Sequence, residues 1–357
     1  MQKSIKASGF ALGLACFLAL VFFSTLPDAY ALNAAKVGAS PSDPSYRLNL
    51  ESQGAGTPNL IGGGVFVPLA FKPDRLSYLD FLVNINLGDY GTSSSIINTR
   101  VKGGTLSASL RAGYRWLNPQ GSWMYGLYSG IDTRRMATGE ADTGVDVWGS
   151  RSVTFKQYAL GLETATDRFF LEAYALVPFG TTEYILNSVY DGGALNTYGA
   201  SLGYRFENGV TGSLGYYHQH GDQRTADGAG QSASVSIDTS RQLQLALELT
   251  KDKAFGTQVS GKLIFYPGVQ PTASAKGLLA KLITPPSQRN VRVHDATCLS
   301  WDQFGCNRWS VDPPPWPPDP GGPFCMGYGV VDFSGDIRCT DYCYCDGWHN
   351  CGGRCRY

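Results

Sequence analysis

The sequence predicts an all-β fold: an antiparallel up-and-down transmembrane β-barrel of about 12 strands, followed by a small disulfide-rich segment. Three observations indicate this fold. Apolar and polar side chains alternate in run after run, short and long connections follow these runs in turn, and aromatic residues gather near the ends of the runs. The chain has 29 acidic and 29 basic residues, so its charge does not point to a nucleic-acid partner.

Residues 1–31 have the features of a secretory signal peptide. A positively charged start precedes the apolar run 10–23, and the small-residue cleavage pattern Ala-Tyr-Ala follows at 29–31. The run is too short to span a bilayer as a helix. Cys16 raises the alternative of a lipoprotein signal, although it lies in the middle of the apolar run. We therefore expect an exported chain that begins with a Pro-containing linker, residues 32–45.

The region 46–284 is predicted to form the barrel. Successive side chains of a strand point to opposite faces, and the stretch WMYGLYSGID at 123–132 alternates in this way. Alternating runs of about ten residues are typical of outer-membrane barrels. The predicted strands lie near 46–53, 60–71, 76–88, 104–117, 123–135, 152–166, 168–181, 196–208, 211–223, 240–250, 257–266 and 276–284.

The connections between these runs are short and long in alternation. The tight links are 72–75, 118–122, 166–167, 207–209 and 251–253. The long links, rich in Gly, Ser, Thr and Asp, are 89–103, 136–151, 182–195 and 224–239. Short turns at one end and long loops at the other are how outer-membrane barrels are built, whereas a soluble β-sandwich has no reason to keep that order.

One face of the strands is predicted to contact lipid and the other to line the lumen. The lipid-facing and girdle residues are Tyr114, Trp116, Trp123, Tyr125, Tyr204, Phe206 and Tyr216. The predicted lumen-lining residues are Arg111, Arg115, Asp132, Glu163, Glu172, Arg205, Glu248 and Lys262. A soluble β-sandwich with an apolar interior is the alternative, and the charged residues in mid-strand weigh against it.

Three stretches carry a resemblance to a known family: Gly113–Asp132, Leu160–Pro178 and Tyr216–Asp222. They resemble the inverse autotransporter β-barrel of the intimin and invasin family, in which a Gly-x-Arg-aromatic strand end, a short turn and an aromatic-Met-x-Gly strand follow one another. Ala165-Thr166-Asp167-Arg168 departs from the family's aromatic-Trp-Arg-Asp turn. No series of immunoglobulin-like domains follows the barrel, so host-cell adhesion is not carried over from the resemblance.

The resemblance implies that the linker 285–297 runs back through the lumen after an even number of strands. Lumen-facing glycines would leave room for it: Gly113, Gly126, Gly130, Gly161, Gly199, Gly203 and Gly215. The alternative reading of these glycines is barrel bending and packing against aromatic rings.

The C-terminal segment 298–357 holds every cysteine that remains after signal removal. An even number of cysteines in a short exported segment predicts disulfides, with the pairing left open. A zinc site involving His349 is the alternative, but the paired spacing of such sites is absent. The disulfide candidates are Cys298, Cys306, Cys325, Cys339, Cys343, Cys345, Cys351 and Cys355.

We predict no catalytic site, no metal site and no cofactor. An outer-membrane phospholipase would need Ser, His and a polar orienting group on one outward face, but Ser213 and His218 lie on opposite faces. The expected function is a barrel anchor in the outer membrane of a Gram-negative-type bacterium that presents the C-terminal segment outside, or keeps it in the periplasm. The alternatives are a small porin or a structural envelope protein.

The expected partners are outer-membrane lipid and lipopolysaccharide, the barrel-assembly machinery and an unknown surface ligand of the C-terminal segment.

Overall fold

The computed structural model describes residues 40–298, apart from 92, 142–144, 146, 208, 222–225 and 269–276. In the C-terminal segment it also describes the backbone of four short strands. The chain divides into two compact units, 1–297 and 298–357. The predicted signal peptide, most of the linker 32–45 and the side chains of seven of the eight C-terminal cysteines lie outside the described residues.

In chain order the strands of the first unit are β1 (Ser45–Glu51), β2 (Leu60–Lys72), β3 (Arg75–Asn86), β4 (Thr99–Lys102), β5 (Thr105–Leu117), β6 (Met124–Ala141), β7 (Ser152–Ala165), β8 (Phe169–Pro178), β9 (Glu183–Ile185), β10 (Tyr190–Ala194), β11 (Asn196–Arg205), β12 (Val210–His220), β13 (Gly228–Asp238), β14 (Leu243–Asp252), β15 (Gly256–Phe265) and β16 (Val293–Thr297). One helix, α1 (Gly277–Ile283), lies between β15 and β16.

Twelve of these strands form a closed antiparallel barrel. They are β1, β2, β3, β5, β6, β7, β8, β11, β12, β13, β14 and β15, each paired with its neighbours along the chain. The first and last strands also pair, with Leu48 opposite Phe265, and this pairing closes the sheet. Closure satisfies the backbone hydrogen bonds of every strand, which a barrel in lipid requires. The predicted fold class is therefore confirmed.

One predicted strand is wrong and one strand was not predicted, although the total of twelve is right. Residues 276–284 were expected to form the last strand, but α1 occupies this stretch. The expected long loop 224–239 instead contains β13. Apart from Asp238, the inward-facing positions of β13 are Gly and Ser, so the segment has the composition of a loop, and only Ala233, Val235 and Ile237 keep the alternation.

The two ends of the barrel differ in the length of their connections. The short-turn end carries the links 73–74, 118–123, 166–168, 206–209 and 239–242, together with both ends of the barrel chain. The long-loop end carries 52–59, 87–104, 142–151, 179–195, 221–227 and 253–255. The tight link expected at 251–253 therefore lies at the long-loop end, because β13 adds a strand before it.

The outside of the barrel is apolar. Every barrel strand exposes at least one large apolar side chain on this face: Leu48, Ile61, Phe81, Leu110, Leu127, Leu160, Leu171, Leu202, Leu214, Val235, Leu247 and Val259. A continuous exposed apolar band around a closed barrel is the surface that meets hydrocarbon. The β-sandwich alternative is excluded, because no second sheet packs on these side chains in the described barrel.

Among the described residues, no helix combines the length and the apolar character needed to cross a membrane.

Two apolar clusters lie inside the barrel near its two ends. At the short-turn end, α1 packs with Leu278 and Leu282 against Leu76, Met124 and Ala165. Towards the long-loop end the second cluster joins strand residues to loop residues and to the chain after α1: Ile96, Val101, Met136, Val153, Phe155, Leu186, Ala194, Val291 and Val293. Between these clusters the described interior is mainly polar.

In the C-terminal unit the described backbone forms two small antiparallel pairs. One joins β17 (Trp301–Asp302) to β18 (Gly305–Cys306), and the other joins β19 (Gly329–Val331) to β20 (Ile337–Cys339). At the end of the continuously described chain, Cys298 is disulfide-bonded.

Candidate functional site in the barrel interior

Helix α1 fills the barrel interior at the short-turn end, and Arg115 of β5 holds its C-terminal end. The last carbonyl groups of a helix have no partner within the helix. Arg115 Nη1 donates to the carbonyl oxygens of Lys281 at 3.1 Å and Leu282 at 2.9 Å, and also to that of Thr284. The same guanidinium pairs with Glu163 at 2.6 and 2.8 Å. Arg115 thus ties the helix end to the barrel wall.

Beyond α1 the linker 285–297 passes through the interior. Gln288 Nε2 donates to Asp80, which also receives both terminal nitrogens of Arg47 at 2.7 and 2.8 Å. Arg289 makes two parallel hydrogen bonds to the Glu172 carboxylate, at 3.0 and 2.7 Å. Paired bonds of this kind between guanidinium and carboxylate are among the strongest in proteins. The middle of the linker is therefore held by a hydrogen bond to β3 and an ion pair with β8.

Arg134 and Gly56 hold the next part of the linker. The Arg134 side chain is fully buried, and its Nη1 donates to the carbonyl oxygens of Val291 at 2.8 Å and Gly56 at 2.6 Å. The Gly56 carbonyl also accepts the backbone N–H of Val293 at 3.1 Å. A buried arginine thus bridges the linker to the 52–59 loop.

The linker ends among the long loops. Strand β16 pairs with β10, and β10 pairs with β9, so the linker completes a three-stranded sheet whose other members lie in the 179–195 loop. The Asp295 carboxylate accepts the backbone N–H groups of Asn98 at 2.9 Å and Thr99 at 2.7 Å. Residues 277–297 therefore run from the short-turn end to the long-loop end inside the barrel.

Two neighbouring titratable groups of β16 are shifted in opposite directions. Burial raises the pKa of the Asp295 carboxyl to about 7, with the donors from Asn98 and Thr99 acting the other way. Burial lowers the pKa of the His294 imidazole to about 4, with Asp252 acting the other way. Burial therefore favours the neutral form of both groups: the protonated carboxyl of Asp295 and the unprotonated imidazole of His294.

The predicted lumen-lining residues all lie on the inner-facing side of their strands. Arg111 pairs with Asp132 at 2.7 Å, both almost fully buried, and Arg205 pairs with Asp238 at 2.7 Å. Lys262 pairs with Glu51. Glu248 is exposed although it faces inward, opposite Ser234 and Ser260. The charged side chains thus pair with one another along the wall, either between adjacent strands, as for Arg111 and Asp132, or across one intervening strand, as for Arg205 and Asp238.

The predicted girdle residues lie on the outer face, and several of their rings contact one another near the short-turn end. Ring centroids are 5.6 Å apart for Tyr114 and Trp116, 5.9 Å for Trp116 and Tyr125, and 4.9 Å for Tyr204 and Phe206. Trp123 and Tyr216 are exposed on the same face. Aromatic bands of this kind mark the membrane–water interface.

Four of the seven singled-out glycines lie under aromatic rings of the inner wall. A Cβ atom added at Gly113, Gly161, Gly199 or Gly203 would come within 2.6 Å of the ring of Tyr78, Tyr128, Tyr174 or Phe170, respectively. At Gly126 it would instead meet the side chains of Glu163 and Arg115, at Gly130 the carbonyl oxygen of Leu110, and at Gly215 the side chain of Ser232. Close packing against neighbouring atoms thus accounts for these glycines, and at the four aromatic positions it keeps the rings close to the wall.

Sequence reasoning missed several residues of the interior: Arg47, Asp80, Arg134, Gln157, Tyr174 and Tyr217. The alternation of side chains could have identified them, because each lies at an inward-facing position of its strand. For example, Arg134 is two residues beyond Asp132 on β6.

No protein-family model matches the chain, and no curated protein matches it. Among solved structures, the chain is similar to a protein from work on in-meso crystallization of membrane proteins. The two are 12% identical over 71% of this chain and 99% of that one, with a TM-score of 0.52. At this identity the match shows the fold alone, and the closed twelve-stranded barrel with an apolar outer band is the architecture of outer-membrane barrels.

Two further matches are too distant to carry an argument. The beta domain of the Bordetella autotransporter BrkA is 13% identical over 62% of this chain and 97% of that chain, with a TM-score of 0.36. The KdgM porin is 9% identical over 62% of this chain and 98% of that chain, with a TM-score of 0.35. The resemblance to inverse autotransporters is not tested by these matches and stays a prediction.

Proposed function

We propose that this outer-membrane β-barrel is of the inverse-autotransporter type and displays its C-terminal segment on the cell surface. One observation carries the proposal: residues 277–297 run inside the barrel from the short-turn end to the long-loop end. In outer-membrane barrels the short turns face the periplasm and the long loops face the outside. This course of the linker supports an outer position for the chain that follows Thr297.

The contacts along this path indicate that α1 and the linker remain bound inside the barrel. Wall residues from β3, β5, β6, β7 and β8 bind the helix end and the linker, and β16 takes part in a sheet with the long loops. A C-terminal segment that stayed in the periplasm would need none of these contacts, because both ends of the barrel chain already lie at the short-turn end. We propose that the exported cysteines then pair as disulfides and that the segment binds an external ligand.

A small porin is the second candidate, and one observation favours it. The side chain of Arg289 is 25% exposed inside the barrel, and the inward-facing Glu248 is exposed as well. Space accessible to water therefore remains beside the linker. Polar solutes could pass there if this space extends along the whole barrel.

We propose no enzymatic role. His218 is exposed on the outer face, whereas the Ser213 hydroxyl lies on the inner face, 2.7 Å from that of Ser234. These two side chains cannot meet in one hydrolytic site. Among the described residues no group of His, Cys, Asp and Glu could hold a metal ion.

Surface labelling of intact cells tests the display proposal. One variant carries an epitope after Tyr357 and a matched control carries it in the 118–122 turn. We expect antibody and added protease to reach the C-terminal epitope in intact cells and the turn epitope only after the outer membrane is opened. A C-terminal epitope that is protected like the turn epitope would contradict display. A large single-channel current from the full chain, together with a protected epitope, would favour the porin.

A further inference from the structure

Three cationic side chains of α1 and the linker lie over aromatic rings of the inner wall. Lys281 Nζ is 4.7 Å from the centroid of the Phe170 ring, and the guanidinium carbon of Arg289 is 3.7 Å from that of Tyr174. The guanidinium carbon of Arg292 is 4.5 Å from the Tyr217 centroid. All three distances are within the range of a cation–π contact, about 6 Å.

The rings present their faces to the lumen because each one covers a glycine of the adjacent strand. Tyr174 covers Gly199 and Tyr217 covers Gly230, and a Cβ atom on either glycine would come within 2.5 Å of the ring. A larger residue at these positions would push the ring away from the wall. The glycines therefore fix the two tyrosines as flat platforms.

Each tyrosine platform that holds an arginine also has a hydrogen-bond acceptor beside it. At Tyr174 the acceptor is the Glu172 carboxylate, which binds Arg289 with two bonds. At Tyr217 the acceptor is the side-chain oxygen of Gln219, 3.2 Å from Arg292 Nη1. A flat face with a hydrogen-bond acceptor beside it fits a guanidinium, which is planar and donates from its edge, better than an ammonium.

The ion pairs of the wall also indicate a cation-binding position at Glu172. Asp80, Asp132 and Asp238 each pair with an arginine of the wall itself. Glu172 differs, because its guanidinium partner Arg289 comes from the linker. Its side chain is 8% exposed, and a buried carboxylate without a counter-charge is costly. The wall is thus incomplete at this position until a cation is supplied.

We propose that the inner wall from β8 to β13 carries two guanidinium-binding sites, one at Tyr174 with Glu172 and one at Tyr217 with Gln219. In the resting protein Arg289 and Arg292 occupy them. When these side chains are absent, the sites accept a guanidinium from solution, such as the guanidinium ion or the side chain of an arginine peptide. The water-accessible space beside Arg289 gives such a cation a path to the first site.

The test uses the full mature chain with Arg289→Ala, reconstituted in a planar bilayer and, in parallel, in detergent. Guanidinium chloride is added at millimolar concentration and compared with methylammonium chloride and NaCl at equal ionic strength. We expect guanidinium to raise the unfolding temperature of the variant and to reduce its channel current at about tenfold lower concentration than methylammonium. The parent chain should show neither effect, since Arg289 already fills the site.

A second substitution in the same background identifies the site. Adding Glu172→Gln or Tyr174→Leu to Arg289→Ala should abolish the preference for guanidinium, whereas Tyr125→Leu on the outer face should leave it unchanged. Equal responses to guanidinium and methylammonium, or a preference that survives Glu172→Gln, would overturn the proposal. If Arg289→Ala does not fold, Arg292→Ala permits the same comparison at Tyr217, with Gln219→Leu as the second substitution. The outcome does not depend on where the C-terminal segment lies.

Discussion

Arg115 Nη1 donates to the carbonyl oxygen of Leu282 at 2.9 Å, and this bond joins the barrel wall to the end of the helix that fills its short-turn end. Leu282 itself is fully buried in the apolar cluster around α1. The contact therefore fixes both the position of the helix and the point where the linker enters the lumen.

Replacing Arg115 with Ala should release α1 and open the barrel. The substitution leaves Glu163 without its partner and removes the three hydrogen bonds that Nη1 makes to carbonyl groups at the end of the helix. Loss of one partner of a buried ion pair costs about 3–5 kcal/mol. We expect a larger single-channel conductance and a lower unfolding temperature. Arg75→Ala, at an exposed arginine that begins β3, is the control and should change neither; equal behaviour of the two variants would argue against this role of Arg115.

Gly161→Ala should destabilise the barrel more than Gly63→Ala. A Cβ at position 161 would lie 2.2 Å from the Tyr128 ring, whereas at position 63 its nearest contact would be Leu48 at 3.4 Å. Overpacking of this kind costs about 1–3 kcal/mol. The measurement is the temperature at which each variant loses its heat-modifiable gel mobility. A Gly161→Ala barrel as stable as the Gly63→Ala barrel would show that Tyr128 can move freely.

Docking of β16 among the long loops should depend on pH through Asp295. Its pKa is raised from 3.8 to about 7. The contribution of Asp295 to the free energy of docking is therefore fully present below about pH 4 and is lost as the pH rises to about 7. His294 has the opposite sign, because its pKa is lowered from 6.5 to about 4 and its contribution is lost as the pH falls through that range.

The His294→Gln variant isolates the effect of Asp295. In this variant, hydrogen-exchange protection of the Val293 and Asp295 amides should fall steadily between pH 4 and pH 7, after correction for intrinsic exchange rates. Adding Asp295→Asn should flatten the profile. Protection that rises with pH in His294→Gln would contradict the raised pKa.

Any residual current through the full chain should be sensitive to Glu248. This carboxylate is exposed on the inward-facing side of β14, and the described linker contacts other parts of the wall. We expect Glu248→Lys to reduce the cation preference of the current, measured as a shift in reversal potential. Glu207→Lys, in the exposed 206–209 link, is the control. An unchanged reversal potential in Glu248→Lys would place the conducting path elsewhere.

The alternation of side chains was sufficient to predict the barrel, its two faces and eleven of its twelve strands, because lipid demands one apolar face on every strand. It failed at β13, where the inner face is Gly and Ser apart from Asp238 and the outer face includes only a few apolar residues. It failed again at α1, whose short apolar run GLLAKLI has no period long enough to separate helix from strand.

The interior could be predicted only in part. The inward phase identifies Arg111 and Asp132 as lumen residues, but their pairing depends on the register between β5 and β6. The contacts of Arg289 and Arg292 with the wall depend on how far the linker has advanced through the lumen. That position is set by packing at both ends, which no local pattern encodes.

The most direct test of the account is the distance from Thr297 to each end of the barrel. In a mature chain that ends at residue 297 no native cysteine remains, so Thr297→Cys can be spin-labelled together with a cysteine at Gln120 or at Val145. Threading predicts a separation of about 30 Å or more from Gln120 in the short turn, and a much shorter one from Val145 in the long-loop link. A label at 297 that lies closer to Gln120 than to Val145 would show that the chain does not pass through the barrel.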